Sequence, residues 1–218
     1  MRKIICSAFV SLDGVMQAPG GPEEDPTGGF KFGGWTFHFW DEAMGHAMDE
    51  LFSRPFDLLL GRKTYDIFAA HWPYAKGDPI GDAFGKAAKY VATRSPDRAL
   101  DWKNSRTLGR DVVATLRDLK RSEGPDLLIQ GSSNLNQTLI ANDLIDEYRL
   151  LLFPVLLGKG KKLFGDGCSP AGLKLAKFGA SSTGMIIAAY ERAGGVSTGD
   201  FGFAEPSQAE LERRKSLR

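Results

Sequence analysis

The sequence predicts an α/β fold with a mainly parallel central sheet, helices on both faces and an antiparallel C-terminal edge. Three observations support this class. Short apolar runs alternate with helical patterns over most of the chain, glycine-containing turns separate them, and the last two apolar runs follow each other without a helix between them. Strands that alternate with helices are typical of parallel sheets, whereas strands joined without a helix usually pair antiparallel.

The first predicted strand covers residues 4–10 and ends at the turn Ser11-Leu12-Asp13-Gly14. Residues 18–34 hold three prolines and six glycines, which predicts a long loop rather than a regular element. A cluster of aromatic residues lies at the end of this loop: Phe30, Phe32, Trp35, Phe37, Phe39 and Trp40. Such rings either bind a flat ligand or fill a core, and the sequence leaves both roles open.

The middle of the chain repeats a strand followed by a helix. Apolar residues between 44 and 52 recur at the spacing of one helix face, and residues 56–60 form a short apolar strand that leads into a helix at Gly61. A strand at 89–93, a helix at 111–122 and a strand at 126–130 follow. Leu135, Leu139 and Ile140 then mark another helix.

The pattern changes near the C-terminus. Residues 148–157 predict a long apolar strand interrupted by Pro154, and residues 173–178 and 185–190 predict two closing strands. We therefore expect one domain over residues 1–193. Residues 194–218 predict a polar tail with a short helix at 207–215.

Composition and charge exclude several function classes. The 218 residues are 42% hydrophobic and 25% charged, as in ordinary globular proteins. The formal net charge of +1 supplies no broad field for a nucleic acid or an anionic membrane, so we expect neither partner. Two cysteines, Cys6 and Cys168, build no disulfide framework, and no run of about 18 apolar residues occurs. These features predict a cytoplasmic location.

Common catalytic motifs are missing from the sequence. The three histidines, His38, His46 and His71, lack the spacing of metal ligands, so we expect no metal. No Gly-x-Ser-x-Gly, Gly-x-Gly-x-x-Gly or Gly-x-x-x-x-Gly-Lys-Ser/Thr motif occurs. A serine hydrolase, a standard Rossmann protein and a P-loop enzyme are therefore disfavoured.

Two strand ends deliver a glycine and polar residues to a helix N-terminus, at Gly61-Arg62-Lys63-Thr64 and at Gly131-Ser132-Ser133-Asn134. Exposed N–H groups at such ends favour phosphate, and two of them suit a dinucleotide. Arg62 and Lys63 could bind an additional 2′-phosphate, which favours NADP over NAD. Alternatively, both glycines make tight turns only and both cations are solvated.

The ordered set of motifs resembles the dihydrofolate reductase superfamily, in particular the branch that includes the C-terminal reductase domain of bacterial riboflavin biosynthesis. The motifs are Ser11-Leu12-Asp13-Gly14, Leu60-Gly61-Arg62-Lys63-Thr64-Tyr65, the turn at Gly131, Asp146-Glu147, and Pro154-Val155-Leu156-Leu157-Gly158 with Gly160 and Leu163-Phe164. The resemblance covers roughly residues 2–192. It implies a three-layer αβα fold and a homodimer. The zinc deaminase motifs that normally accompany this reductase are absent, so the chain is expected to be a stand-alone reductase domain.

The resemblance also implies NADPH as cofactor and hydride transfer to a C=N bond of a pterin, or to the ring-opened ribosylamine of a pyrimidine. The residues implied to bind the cofactor are Gly61, Arg62, Lys63, Thr64, Thr93, Arg94, Gly131, Ser132, Ser133, Asn134 and Leu135. The chain departs from the family at Gln130, where the family usually has the first of two consecutive glycines.

Hydride transfer to C=N needs a proton, and a carboxyl group beside apolar surroundings is suited to supply it. Asp41, which follows Phe39-Trp40, is one candidate, and capping a helix is its alternative role. Asp13 is the second candidate, and forming a turn is its alternative. Among the aromatic residues, Phe30, Trp35 and Trp40 are the candidates for binding a flat heterocyclic substrate.

The sequence therefore predicts an NADPH-dependent reductase of a pteridine or a riboflavin-precursor pyrimidine. A non-catalytic dinucleotide-binding or sensor protein is the first alternative, because of the altered glycine pair. A structural dimerisation module is the second, in which strand 148–157 pairs with its copy across a two-fold axis.

Overall fold

The computed structural model describes residues 1–166, 168–202 and 205–217. Within these ranges the strands are β1 (Ile4–Ser11), β2 (Phe56–Gly61), β3 (Lys89–Ala92), β4 (Ser105–Thr107), β5 (Asp126–Gln130), β6 (Glu147–Phe153), β7 (Leu173–Ala180) and β8 (Ile186–Arg192). The helices are α1 (Glu42–Phe52), α2 (Arg62–His71), α3 (Pro79–Lys86), α4 (Val112–Arg121), α5 (Ser133–Ala141) and α6 (Gln208–Ser216).

The strands form an eight-stranded sheet in the order β4-β3-β2-β5-β1-β6-β8-β7. The strands from β4 to β6 in this order run parallel, and β8 and β7 complete the sheet antiparallel. This topology confirms the predicted fold class. It also places the ends of β2 and β5 side by side, because these strands are neighbours in the sheet.

Alternate side chains of β1 enter two different apolar cores, since successive side chains of a strand point to opposite faces. Cys6 and Ala8 pack on one face, together with buried residues of α4 and α5. Ile5 and Phe9 pack on the other face against α1, which contributes Met48. The helices therefore cover both faces of the sheet, as predicted.

Strand β6 differs from the prediction in length and in its surroundings. It ends at Phe153, one residue before Pro154, because proline has no N–H to donate to a neighbouring strand. Strand β6 also lies between β1 and β8 and pairs with both. The expectation that residues 148–157 pair with a second copy is therefore wrong, since both backbone edges of this strand are already occupied.

Two elements were not predicted, and the tail is described in part. Helix α3 and strand β4 are both short, and neither follows from the sequence pattern. The predicted tail helix is present as α6, with Ser207 as its N-cap, whereas residues 203, 204 and 218 of the tail lie outside the described residues. The domain boundary at 193 stays a prediction. Among the described residues, no helix combines the length and the hydropathy that crossing a membrane requires.

Candidate functional site

A large cleft of about 1640 Å³ lies at the carboxyl ends of β2, β3 and β5, beside the second half of β1. Ligands bind at this end of open α/β sheets because loops and helix N-termini converge there. All of the predicted cofactor residues line this cleft: Gly61, Arg62, Lys63, Thr64, Thr93, Arg94, Gly131, Ser132, Ser133, Asn134 and Leu135. The structure therefore brings together residues that are up to 74 positions apart in sequence, from 61 to 135.

The first phosphate-binding candidate is the N-terminus of α2. Gly61 is the N-cap of this helix, no side chain of the described residues caps it, and its first turn holds no acidic residue. The first backbone N–H groups of a helix have no partner within the helix. The start of α2 therefore presents N–H donors and a positive helix end to the cleft.

The second candidate is the N-terminus of α5, which follows the turn at Gly131. Gly131 has a φ of +77°, a left-handed conformation that glycine adopts without strain. Ser132, the N-cap, is also left-handed, and its side chain makes no capping bond to the helix. The first turn of α5 consequently presents uncapped N–H groups to the same cleft.

The two helix starts are in direct contact. The Ser132 hydroxyl accepts a hydrogen bond from the Gly61 backbone N–H at 2.7 Å. A Cβ at Gly61 would lie 3.2 Å from this hydroxyl oxygen, so the close approach favours glycine at position 61. The two turns that the sequence singled out therefore form one continuous surface.

One nitrogen of the Arg62 guanidinium group has no partner among the residues that the structure describes. Nε and Nη2 bind the carboxylate of Asp66 at 2.9–3.0 Å. This hydrogen bond raises the pKa of Arg62, so the group stays charged. Nη1 is buried and has no hydrogen-bond partner among the described residues. A buried N–H without a partner is unfavourable, so a ligand that accepts a hydrogen bond from this atom would be stabilised.

Lys63 is committed to an ion pair instead. Its Nζ lies 2.9 Å from Oδ1 of Asp25 and 2.8 Å from Oγ1 of Thr27, and Lys161 binds the other carboxylate oxygen of Asp25. Burial alone would raise the pKa of Asp25, but hydrogen bonds from Lys161, Thr27 and Lys63 outweigh it and hold the pKa well below its usual 3.8. These contacts fasten the loop at 18–34 to the start of α2.

The part of the cleft under α1 is apolar and aromatic. Phe9 of β1 and Met48 and Phe52 of α1 line it, together with Trp40, whose side chain is 57% exposed. A flat ring with apolar faces fits such a wall, because aromatic side chains bury large areas against it. Of the three aromatic residues predicted to bind substrate, Trp40 is the one that the structure places here.

Phe30 and Trp35 do not line the cleft, so the expectation that they bind substrate is corrected. Phe30 is 6% exposed and packs with Val15 and Ala18. The Trp35 ring packs edge-on against Phe153 with centroids 5.2 Å apart, and its Nε1 donates to the Gln17 carbonyl at 2.8 Å. These two rings fill a core, which is the second role that the sequence left open.

Asp41 lies at the start of α1, away from the lining of the cleft. Its carboxylate accepts hydrogen bonds from the Met44 N–H at 3.0 Å and from the N–H and hydroxyl of Ser182 at 2.9 and 2.8 Å. The hydrogen bond from Ser182 is the main reason that the pKa of Asp41 is lowered. These contacts favour its alternative role as a helix cap.

Asp13 is likewise held by its turn. Its carboxylate accepts hydrogen bonds from the Ser11 hydroxyl at 2.6 Å and from the N–H groups of Leu157 and Gly158 at 3.1 and 2.6 Å. The bond from Ser11 is the largest cause of a lowered pKa. An acid that stays ionised is a weak proton donor, so the surroundings of Asp13 favour its structural role.

Glu24 is a carboxyl group in the cleft that sequence reasoning missed. It lines the cleft and accepts a hydrogen bond from the Gly20 N–H at 2.6 Å. Burial raises the pKa of Glu24 above its usual 4.5, against hydrogen bonds from the backbone of Gly20 and Gly21. The sequence feature that could have indicated Glu24 is the acidic run Glu23-Glu24-Asp25 inside a glycine-rich loop.

Comparison with known proteins gives a family and a fold. The family model described as the RibD C-terminal domain matches residues 2–187. The uncharacterized protein YyaP of Bacillus subtilis (strain 168) is 26% identical over 193 residues, which cover 87% of this chain and 94% of YyaP.

Two solved structures illustrate the fold. A protein assigned provisionally to riboflavin biosynthesis, from Shewanella sp. PV-4, superposes with a TM-score of 0.60 at 21% identity, over 88% of this chain and 99% of that protein. Dihydrofolate reductase from Enterococcus faecalis, complexed with NADP(H), superposes with a TM-score of 0.55 at 14% identity, over 87% and 96%. The fold is therefore dihydrofolate reductase-like.

Proposed function

The chain belongs to the RibD C-terminal domain family, as its motifs predicted, and on this premise we propose that it is an NADPH-dependent reductase of a flat heterocycle. The substrate class is a pteridine or a riboflavin-precursor pyrimidine related to 5-amino-6-(5-phosphoribosylamino)uracil. The observation that carries the proposal is the contact of two uncapped helix starts inside one cleft, where the Ser132 hydroxyl binds the Gly61 N–H at 2.7 Å.

The residues of the cleft fit a dinucleotide phosphate. The uncapped N–H groups at the starts of α2 and α5 suit the two phosphates of a pyrophosphate. The buried and unpartnered Nη1 of Arg62 suits the 2′-phosphate, while Thr93 and Arg94, at the end of β3, line the cleft where the adenosine would lie. Lys63 is a weaker candidate than the sequence suggested, because Asp25 already neutralises it.

When bound, NADPH supplies a hydride to the C=N bond of the substrate. The apolar wall of Phe9, Met48 and Phe52 would hold the substrate ring and exclude water, and Trp40 would cover one edge of it. Exclusion of water strengthens the electrostatic interactions of a site. Leu135 lines the cleft beside the second helix start and would contribute an apolar contact.

We assign the proton to Glu24 rather than to Asp41 or Asp13. Glu24 lines the cleft, and burial raises its pKa, so it holds a proton at higher pH than an ordinary glutamate does. Asp41 and Asp13 have lowered pKa values and are bound to the backbone of neighbouring turns. The rate is therefore expected to fall as pH rises through the pKa of Glu24.

The test measures the loss of NADPH absorbance with dihydrofolate and with 5-amino-6-(5-phosphoribosylamino)uracil as substrates. We expect oxidation of NADPH with one of the two classes of ring. Glu24→Gln should slow the reaction about 100-fold and flatten its pH profile, while NADPH affinity stays unchanged. Absence of NADPH binding would contradict the proposal, and an unaltered pH profile in Glu24→Gln would remove Glu24 from it.

A non-catalytic dinucleotide-binding protein is the second candidate. Gln130 stands where the family usually has a glycine, and both acids that the sequence singled out are engaged outside the cleft lining. Tight NADPH binding without oxidation by any pteridine or pyrimidine would favour this candidate over the reductase.

A further inference from the structure

Ser7 and Gln130 form a pair of polar residues in the wall of the cleft. They are partners in the register of β1 and β5, so they lie side by side on adjacent strands. Ser7 is 1% exposed. The hydroxyl of Ser7 and the Nε2 of Gln130 are both buried, and neither has a hydrogen-bond partner among the described residues.

Both residues belong to the substrate half of the cleft. Ser7 alternates with Ile5 and Phe9 on the face of β1 that packs against α1, and Gln130 alternates with Leu128 on the same face of β5. Both line the cleft. On this face their neighbours along the strands are apolar, Ile5 and Phe9 on β1 and Leu128 on β5, so the two polar side chains differ from the residues beside them.

Unpartnered polar atoms in such a region point to a ligand. Buried hydroxyl and amide groups almost always have hydrogen-bond partners, since burial without one is unfavourable. Ligand pockets are mostly apolar, with a few polar groups that fix the orientation of the ligand. The amide Nε2 donates only, whereas the hydroxyl both donates and accepts.

These donor and acceptor properties define a complementary ligand edge. A ring carbonyl accepts from the Gln130 N–H, and an adjacent ring N–H donates to the Ser7 hydroxyl oxygen. A carbonyl beside an N–H is a lactam edge, –CO–NH–. In the observed orientation of the Gln130 amide, a ring that carries amino groups in place of its carbonyls presents donors to the Gln130 donor and is disfavoured.

We propose that Ser7 and Gln130 determine substrate specificity by binding the lactam edge of the heterocycle. This inference rests on the proposed function, which places the ring in the apolar half of the cleft. It adds two residues of this chain that neither glycine turn includes, and it assigns a role to Gln130, the position at which the chain departs from the family pattern.

Two rings of the same size provide the test. 5,6-Diaminouracil has a lactam edge, and 2,4,5,6-tetraaminopyrimidine carries amino groups in its place. NADPH is first titrated into the wild type and into each variant of the full chain. Binding of each of the two rings is then measured by quenching of tryptophan fluorescence, with and without NADPH. We expect the wild type to bind the uracil about 10-fold more tightly, the ratio that one good hydrogen bond gives.

The variants separate the two residues from general damage to the fold. Ser7→Ala and Gln130→Leu should each weaken uracil binding about 3- to 10-fold and leave tetraaminopyrimidine and NADPH binding unchanged. Gln130→Glu replaces the donor by an acceptor of the same shape, so it should reverse the preference toward tetraaminopyrimidine, a gain that misfolding cannot produce.

The outcomes distinguish this inference from the proposed function. Three results overturn the lactam proposal alone, provided that the wild type binds NADPH. They are equal affinity for the two rings, no binding of either ring, and equal losses for both rings in the variants. Failure of the wild type to bind NADPH overturns the proposed function and this inference with it. A reversed preference in Gln130→Glu supports the inference.

Discussion

At the residue scale, we expect Arg62 to distinguish NADPH from NADH. Two of its guanidinium nitrogens bind Asp66, and the buried Nη1 has no hydrogen-bond partner among the described residues. Replacement by alanine should weaken NADPH binding by about 1 to 3 kcal/mol, the range of a charge-assisted hydrogen bond, and should leave NADH binding nearly unchanged. Titrations of tryptophan fluorescence with both coenzymes measure the difference.

Arg117→Ala is the matched control for Arg62→Ala, because it removes the same charge from an exposed position of α4 that does not line the cleft. It should bind both coenzymes like the wild type. Equal losses of NADPH and NADH affinity in Arg62→Ala would reject a contact with the 2′-phosphate.

Asp25 gives the stability of the protein a specific pH dependence. Its pKa is lower in the folded protein than the usual 3.8, so the unfolded chain binds the proton more readily. The stabilisation is complete above pH 3.8 and is lost as pH falls toward the folded-state pKa. Asp25→Asn should lower the free energy of unfolding by about 2 kcal/mol at pH 7, since Lys63 and Lys161 are partly exposed and lose less than fully buried partners do.

Urea unfolding at pH 7 and pH 3 measures this effect, and the difference between Asp25→Asn and the wild type should shrink at pH 3. Asp118→Asn is the control, because it breaks an exposed ion pair with Arg121 on α4 and should change stability little at either pH. A difference of the same size at both pH values would show that Asp25 acts through its shape rather than its charge.

At the scale of single elements, the turn before α5 depends on a glycine. Gly131→Ala places a side chain at a φ of +77°, which should destabilise the protein by about 1 to 2 kcal/mol and weaken NADPH binding. An added Cβ would lie 3.5 Å from the Thr64 side chain, an ordinary contact, so the loss reflects backbone strain.

Gly45→Ala is the control for this prediction. Gly45 lies inside α1, its φ is helical, and a Cβ there meets nothing within 4 Å. The substitution should stabilise the protein by about 0.4 to 1 kcal/mol, because alanine restricts the unfolded chain. Urea unfolding and NADPH titration of both variants provide the comparison, and an unchanged stability of Gly131→Ala would show that the turn tolerates a side chain.

Strong periodicity made most elements predictable. Strand β1, helix α1 and strand β5 lie within about two residues of their predicted bounds, because their apolar residues follow one period and end at glycine, proline or aspartate. Helix α3 escaped prediction because Gly81 and Gly85 interrupt its eight residues. Strand β4 has three residues and a polar composition, which carry no period.

The glycine turns proposed to bind the cofactor were predictable from sequence, whereas, Trp40 apart, the residues proposed to bind the substrate were not. Glycine turns are local signals, so the sequence alone identifies Gly61 and Gly131 without information about the contact between their turns. Ser7 and Gln130 become neighbours only through the register of two strands that are 123 residues apart at these positions, and no local pattern reports that register. Phe30 and Trp40 lie in the same aromatic cluster, and only the folded loop separates a core ring from a cleft ring.

At the scale of the whole molecule, the edge of the sheet suits a homodimer, which stays a prediction. Edge strand β7 exposes Leu173, Leu175 and Phe178 on one face, where they pair with alternate residues of β8. Exposed apolar edges favour association. Sedimentation equilibrium should give a dimer for the wild type and a monomer for Phe178→Lys with unchanged unfolding, whereas a monomeric wild type would refute this.

The most direct test of the proposed coenzyme site is a crystal structure of the protein grown with saturating NADPH. We expect one coenzyme per chain, with its pyrophosphate across the starts of α2 and α5 beside the Gly61–Ser132 contact and its 2′-phosphate at Nη1 of Arg62. Coenzyme density elsewhere on the chain, or a cleft that holds none under these conditions, would contradict this proposed site.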